Sequence, residues 1–395
     1  MNTLLLIGDF TSTTGFGRVN ERLMAALDPG EWDIHVLAIN ASGDYHPLQR
    51  RYKIYPAMLG GRDLLGVERA PEVIAHVKPD LIVAHNDAWL TQHYLDAARR
   101  VLPDVPFIAY CPPDAPNQHA GKGLVRANLL LCPTEFGIRE LRAGGYVGDA
   151  QVLPYGVDRS FFGEIDPIAE RRKRGWPEHL LDAFVVGRAD RNAPRKRYDL
   201  TLLYWKAWWE SIGKPDDVLL YLHCAPRDVG WDLPQLVEYL GLESCVAFTK
   251  EDLTPVSLPP QEELQSIFRT WDVHLSTTMG EGFGLVALET AAAGCAQILP
   301  DWSAYGEIWK DAARLAAVDA HGITTQGINT IGGVAKEDDV RNHLTLLYEQ
   351  RAVALGYKLK ARARAAEPRF DWAHIGAEFR AICDRLMAHR EEKAA

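Results

Sequence analysis

Apolar residues in this chain come in short runs bounded by turn-forming residues, and the stretches between the runs switch to helical spacing. Residues 4–7, 34–39, 81–84, 107–110, 129–131 and 152–153 read as buried strands, and 19–27 and 89–101 read as helices between them. Such alternation predicts a parallel sheet with helices on both faces. The pattern breaks over 158–181, a polar segment carrying Pro167, Gly175 and Pro177, and resumes at 183–186. The second half repeats the alternation, with strands at 219–223, 246–248, 273–276 and 296–299 and helices at 199–212, 234–240, 262–271 and 285–293. From Lys336 onward helical spacing dominates, through Phe370-Asp371-Trp372 to Met387. The expected fold is α/β, with two doubly wound Rossmann-like domains facing across a cleft. The expected boundaries are 1–160 and 161–370, with a late helix over 371–390 crossing back to the first domain.

Bulk properties narrow the partners. A chain of 395 residues, 47% hydrophobic and 24% charged, suits two globular domains. Its net charge of −10 argues against a surface built to coat a nucleic-acid backbone, although a local basic groove is compatible with it. The cysteines at 111, 132, 224, 245, 295 and 383 form no Cys-x-x-Cys pair and read as buried thiols in a reducing compartment. The apolar run at 4–7 is too short for a signal peptide and lacks a basic start, and no run reaches the roughly 18 apolar residues of a membrane helix. A cytoplasmic protein without a transmembrane segment is expected.

The candidate chemistry lies in loops that follow strands. Residues 281–289 read Glu-Gly-Phe-Gly-Leu-Val-Ala-Leu-Glu, in the order strand, glycine turn, helix. The backbone N–H groups of Gly282, Phe283, Gly284 and Leu285 then stand at a helix N-terminus, where unpaired donors and the dipole favour an anion. Glu281 stays in the loop while Glu289 enters the second helical turn. On that stretch alone, a tight turn flanked by two solvated glutamates explains the same residues. After the strand at 183–186 comes a cationic loop with Arg188, Arg191, Arg195 and Lys196, suited to a diphosphate, or else to a solvated basic turn. The loop at 8–18 is rich in hydroxyls and contains Gly15 and Gly17, but it is not a full dinucleotide fingerprint. Asp114, in a proline-rich loop, and His85, at a strand end, are the candidates of the first domain; a turn-capping role explains Asp114 equally well. There is no Asp-x-Asp and no metal-ligand spacing, so a metal-independent site is expected, and Gly-x-Ser-x-Gly is absent.

Taken together, these motifs resemble retaining glycosyltransferases of the GT-B fold, specifically glycosyltransferase family 4. Residues 281–289 match the family's Glu-x7-Glu element, and Pro154-Tyr155-Gly156-Val157-Asp158 with Phe162 match its Pro-x-Gly-Val-Asp signature. Arg191, Arg195 and Lys196 with Asp199, Ala293-Gly294, Glu307 and Phe370-Asp371-Trp372 are supporting matches. The resemblance implies transfer of a sugar from a nucleotide-diphosphate-sugar donor, with retention at the anomeric carbon and no cofactor. It implies that Glu289 binds the ribose, Glu281 the donor sugar, and Arg191 with Lys196 the leaving phosphate. Gly15, Gly17, Arg188 and Arg195 are also expected to line the donor site.

Three departures stand out. The usual glycine after the phosphate lysine is Arg197, and Arg188 and Arg191 compete for one role, with Arg191 favoured by its spacing to Lys196. Cys111-Pro112-Pro113-Asp114 replaces a frequent histidine, leaving Asp114 beside the acceptor. Leu222-His223-Cys224 replaces a glycine-rich turn and adds His223 to the donor pocket. The expected acceptor is a glycan, a lipid-linked glycan or a small molecule. A hydroxymethylated base in DNA, as for virus-type members, is the alternative acceptor, and a non-catalytic nucleotide-sugar-binding protein is the alternative class. Hinge closure near 158–175 would join donor and acceptor.

Overall fold

The structure, a computed structural model, describes residues 1–12, 14–249, 253, 260–324 and 327–394. Thr13, part of the hydroxyl-rich loop singled out above, lies outside the described residues. Contacts divide the chain into two units: Met1–Pro113, Asn117–Gly156 and Arg369–Ala395 form one, and Asp114–Pro116 with Val157–Pro368 form the other.

The first unit runs β1 (Asn2–Asp9), α1 (Gly15–Ala25), β2 (Trp32–Ile39), β3 (Lys53–Pro56), α2 (Ala70–Val77), β4 (Leu81–His85), α3 (Ala88–Val101), β5 (Phe107–Tyr110), β6 (Leu129–Cys132), α4 (Glu135–Ala143) and β7 (Ala150–Val152). The sheet order is β3-β2-β1-β4-β5-β6-β7, and every pair is parallel. Strand side chains such as Leu5, Ile7, Ile82, Ala84 and Phe107 bury one face against Tyr94 and Leu95 of α3. Capping sets the helix starts: Thr14 accepts the Gly17 N–H at 3.1 Å and Thr134 the Gly137 N–H at 3.1 Å. β3 is an addition to the sequence expectation. It is a four-residue edge strand whose Lys53 and Pro56 obscure its pattern and suit an edge, where a ladder donor is dispensable.

The second unit runs α5 (Pro167–Lys173), β8 (Phe184–Ala189), α6 (Tyr198–Ser211), β9 (Val218–His223), α7 (Leu233–Leu240), β10 (Val246–Phe248), α8 (Gln261–Arg269), β11 (Val273–Leu275), α9 (Leu285–Ala293), β12 (Ala296–Pro300), α10 (Ser303–Ile308), β13 (Arg314–Ala316), β14 (Val318–Ile323), β15 (Ile331–Ala335), α11 (Glu337–Glu349) and α12 (Arg351–Ala365). Its main sheet has the order β10-β9-β8-β11-β12-β13, again all parallel. Trp205 and Trp208 of α6 fill the core against Phe184, Val186 and Leu220. The antiparallel hairpin β14–β15 departs from the alternating pattern; its Gly322, Gly332 and Gly333 break the apolar runs that mark strands elsewhere. The last helix, α13 (Trp372–Ala394), belongs to the first unit, where it packs on α1 and buries Ile375, Phe379, Ile382 and Cys383.

A buried ionic lock ties α5 and α12 to the amino end of β11. Asp272 accepts from Arg171 at 2.7 Å, from Lys358 at 2.6 Å and from the Val185 N–H at 3.0 Å. Three further Arg171 N–H groups meet the carbonyls of Thr270, Leu181 and Ala183 at 2.8 to 2.9 Å. Burial alone would raise the Asp272 carboxyl, but the Lys358 and Arg171 charges hold it below the usual carboxylate range.

Candidate functional site

The second sheet reverses direction between β8 and β11, so the loops leaving these strands flank a topological switch point, where open α/β sheets hold ligands. The β8 loop makes a tight turn at Pro194–Lys196 and then passes through Arg197, whose φ of 53° is left-handed, into α6. The β11 loop runs alongside and is stitched to it. The Met279 N–H donates to the Arg195 carbonyl at 2.9 Å, and the Thr277 hydroxyl donates to the Arg197 carbonyl at 2.8 Å. From beneath, Arg188 donates to the Lys196 carbonyl. Arg188 is fully buried, stacked 4.2 Å over the Tyr198 ring and bonded to Thr201 and Thr277.

These bonds aim a compact charge cluster. The Lys196 ammonium lies 2.8 Å from Asp190 and pairs with Glu281. Arg195 pairs with Asp114 at 3.0 Å, stands 3.7 Å from Glu281 and donates to the Gly280 carbonyl. Gly280 is required at that point, because a Cβ there would strike the Asp114 carbonyl. Burial opposes ionisation of Asp190, yet Lys196 and Arg188 hold its carboxyl below the ordinary range. The two glutamates differ in setting: Glu281 is 8% exposed in the loop, and Glu289 is 4% exposed in the second turn of α9. Neither is a solvated surface charge. The α9 N-cap is Gly284 at φ 90°, and the ring of Tyr305 occupies the space its Cβ would need. The helix therefore starts in a way that only glycine permits.

Not every expected residue joins the cluster. Arg191, expected beside Lys196, instead pairs with Asp228 at 2.8 Å with 62% of its side chain exposed. Arg188 supports the turn from below. His223 is buried at the end of β9 and bonded to Thr249 at 2.7 Å; desolvation lowers its pKa to about 4. In the first unit His85 does not face solvent. Its ring is buried between the Asn20 side chain and the Tyr155 hydroxyl, each at 2.7 Å, and burial lowers its pKa to about 3. Gly15 opens α1, and Gly17 packs against the Ser12 carbonyl with its N–H taken by Thr14.

Two contributors escaped the sequence reading: Asp190 and Tyr305. Asp190 carried a signal, being the one acid within the cationic run 188–197. Among the described residues there is no group of three or more His, Cys, Asp or Glu side chains able to hold a metal ion, and no helix long and apolar enough to cross a membrane.

No family model matches the chain. Its sequence is 30% identical over 252 residues to the D-inositol 3-phosphate glycosyltransferase of Stackebrandtia nassauensis, an alignment that covers 62% of this chain and 52% of that protein. The chain thus spans about half the length of this curated relative. Among solved structures, sucrose-phosphate synthase from Thermosynechococcus elongatus superposes with a TM-score of 0.76 at 16% identity, covering 98% of this chain and 100% of that one. Anabaena HepE in complex with UDP and glucose superposes with a TM-score of 0.71 at 17% identity, with 98% and 100% covered. At these identities the likeness is one of fold, and the fold class is the GT-B type expected from the sequence.

Proposed function

We propose that this chain is a glycosyltransferase that moves a sugar from a nucleotide-diphosphate-sugar donor to an acceptor hydroxyl. The observation that carries the reading is the half-buried cluster of Lys196, Arg195 and Glu281 at the β8/β11 switch point, in front of the α9 N-terminus. The curated relative's name and the UDP and glucose of the HepE complex agree with it.

In this reading Lys196 and Arg195, rather than Arg191, neutralise the diphosphate, exchanging their carboxylate partners for phosphate oxygens. The first turn of α9 adds its amides and dipole. Glu289 binds the ribose hydroxyls, and Glu281, released by Lys196, binds the donor sugar. The bond from the anomeric carbon to the leaving phosphate breaks as the acceptor oxygen bonds to that carbon from the same face. Attack on that face retains the configuration without a protein nucleophile, and the acceptor proton passes to the departing phosphate. Preorganised charge at the leaving group supplies most of the rate. Asp114, held by Arg195, borders the acceptor.

The test is turnover of nucleotide sugars, followed by mass spectrometry of products with glycan, small-molecule and modified-DNA acceptors. Lys196→Ala is expected to lower kcat by a hundredfold or more, about 2.7 kcal/mol. Glu289→Ala is expected to raise the donor KM. Wild-type rates in both variants would overturn the assignment, and donor binding without turnover on any acceptor would leave a binding protein instead.

A further inference from the structure

The turn from β12 into α10 contains a strained residue that the chemistry above does not use. Ser303 has φ 51°, in the left-handed region that residues bearing a Cβ enter at a cost, and it is 9% exposed. Its hydroxyl accepts the Glu281 N–H at 2.9 Å, and the next residue, Ala304, donates its N–H to the Glu281 carbonyl at 3.2 Å. Both peptide groups of Glu281 are therefore gripped by two consecutive residues. One residue further on, Tyr305 supports Gly284 from below. A single short turn thus fixes the start and the end of the loop 281–284.

We propose that Ser303 is a positioning residue for sugar transfer, and that its left-handed backbone is maintained because it turns the hydroxyl toward Glu281. This rests on the glycosyltransferase reading. With both peptides of Glu281 held, its side chain departs from a fixed point toward Lys196, and on donor binding it must swing to the sugar without the main chain following. Loss of the grip allows the main chain to drift, and a misplacement on the order of 1 Å costs roughly a hundredfold in rate. Strain retained in a buried turn at a site is the expected mark of function favoured over stability.

The test separates stability from rate. Ser303→Gly relieves the backbone but removes the acceptor, whereas Ser303→Thr keeps a hydroxyl but puts a β-branched residue in the left-handed region. A merely structural residue gives activity that follows Tm. The positioning role gives the opposite order. Ser303→Gly is expected to melt above Ser303→Thr, yet to show kcat reduced by roughly ten- to a hundredfold with nucleoside-diphosphate Kd within about twofold. Ser303→Thr is expected to keep at least about a third of wild-type kcat while losing several degrees of Tm. Ser303→Gly with wild-type kcat, or Ser303→Thr slowed as much as Ser303→Gly, overturns the inference. Wild type and Lys196→Ala are assayed alongside. If wild type turns over donor and Lys196→Ala does not, any failure belongs to Ser303 alone; if wild type neither binds nor turns over donor, the functional reading fails and this inference with it.

Discussion

The two ends of β11 carry charge clusters of similar composition and opposite character. At the amino end, Asp272 sits between Arg171 and Lys358, and carbonyl oxygens take three other Arg171 N–H groups, so the cluster is closed to solvent. At the carboxyl end, Lys196 and Arg195 pair with Asp190, Glu281 and Asp114, but Arg195 and Asp114 keep about a quarter of their side chains exposed. In the closed cluster, removing Asp272 leaves two buried cations without their carboxylate. In the open one, under the proposed function, a carboxylate is exchanged for an oxygen of the donor. One strand thus separates a cluster covered throughout from one that the Arg195–Asp114 pair opens to solvent, since Lys196, Asp190 and Glu281 are nearly as covered as Asp272 and Lys358.

The largest expected effect tests the closed end. Asp272→Ala strands two buried cations and is expected to cost about 3–5 kcal/mol in urea unfolding. A loss below about 1 kcal/mol would erase the contrast. Next comes Lys196→Ala at the open end, where turnover falls a hundredfold or more but the urea midpoint moves less than in Asp272→Ala. An equal midpoint shift would make both ends structural.

A smaller effect comes from His274, midway along β11, buried and bonded to Gln297 at 2.8 Å. Burial lowers its pKa to about 4, so the unfolded chain binds more protons between that value and the ordinary one near 6.5. Its contribution is complete above pH 6.5 and drains as pH falls toward 4, at up to about 1.4 kcal/mol per pH unit. His223 and His85 act in the same direction. His274→Gln should flatten the stability profile between pH 6 and 4.5 by about one proton, and an unchanged slope would remove the histidine from the account. Arg191→Ala should be the mildest, with stability altered by less than about 1 kcal/mol because the Arg191 side chain is 62% exposed and the Val229 N–H still holds Asp228, and with turnover within a few-fold of wild type. A loss equal to that of Lys196→Ala would return the phosphate to Arg191.

Much of this is legible in the sequence. The pattern placed β5 and α9 at their observed bounds, because each is an apolar run closed by turn residues; α9 is flanked by Gly284 and Gly294, both with positive φ. It put Glu281, Lys196 and Arg195 in loops after strands of one sheet. What it missed depends on directions within loops. Spacing favoured Arg191 for Lys196, but the turn at Pro194–Lys196 and the left-handed Arg197 carry Arg195 to the cluster instead. Ser303 is equally silent in sequence, since its place follows from a backbone angle and a partner 22 residues away. The hairpin β14–β15 is hidden by glycines, and His85 gave no sign of being enclosed by Tyr110 and Tyr155.

The helix α13 has a consequence for the order in which the chain assembles. The first unit draws on residues 1–113 and 117–156, but it is walled on one side by Ile375, Phe379, Ile382 and Cys383, over 200 residues downstream of Gly156. During synthesis its seven strands are made early, yet the α1 surface that receives α13 stays uncovered while the entire second unit is translated. The unit that is made first is therefore the one that is finished last.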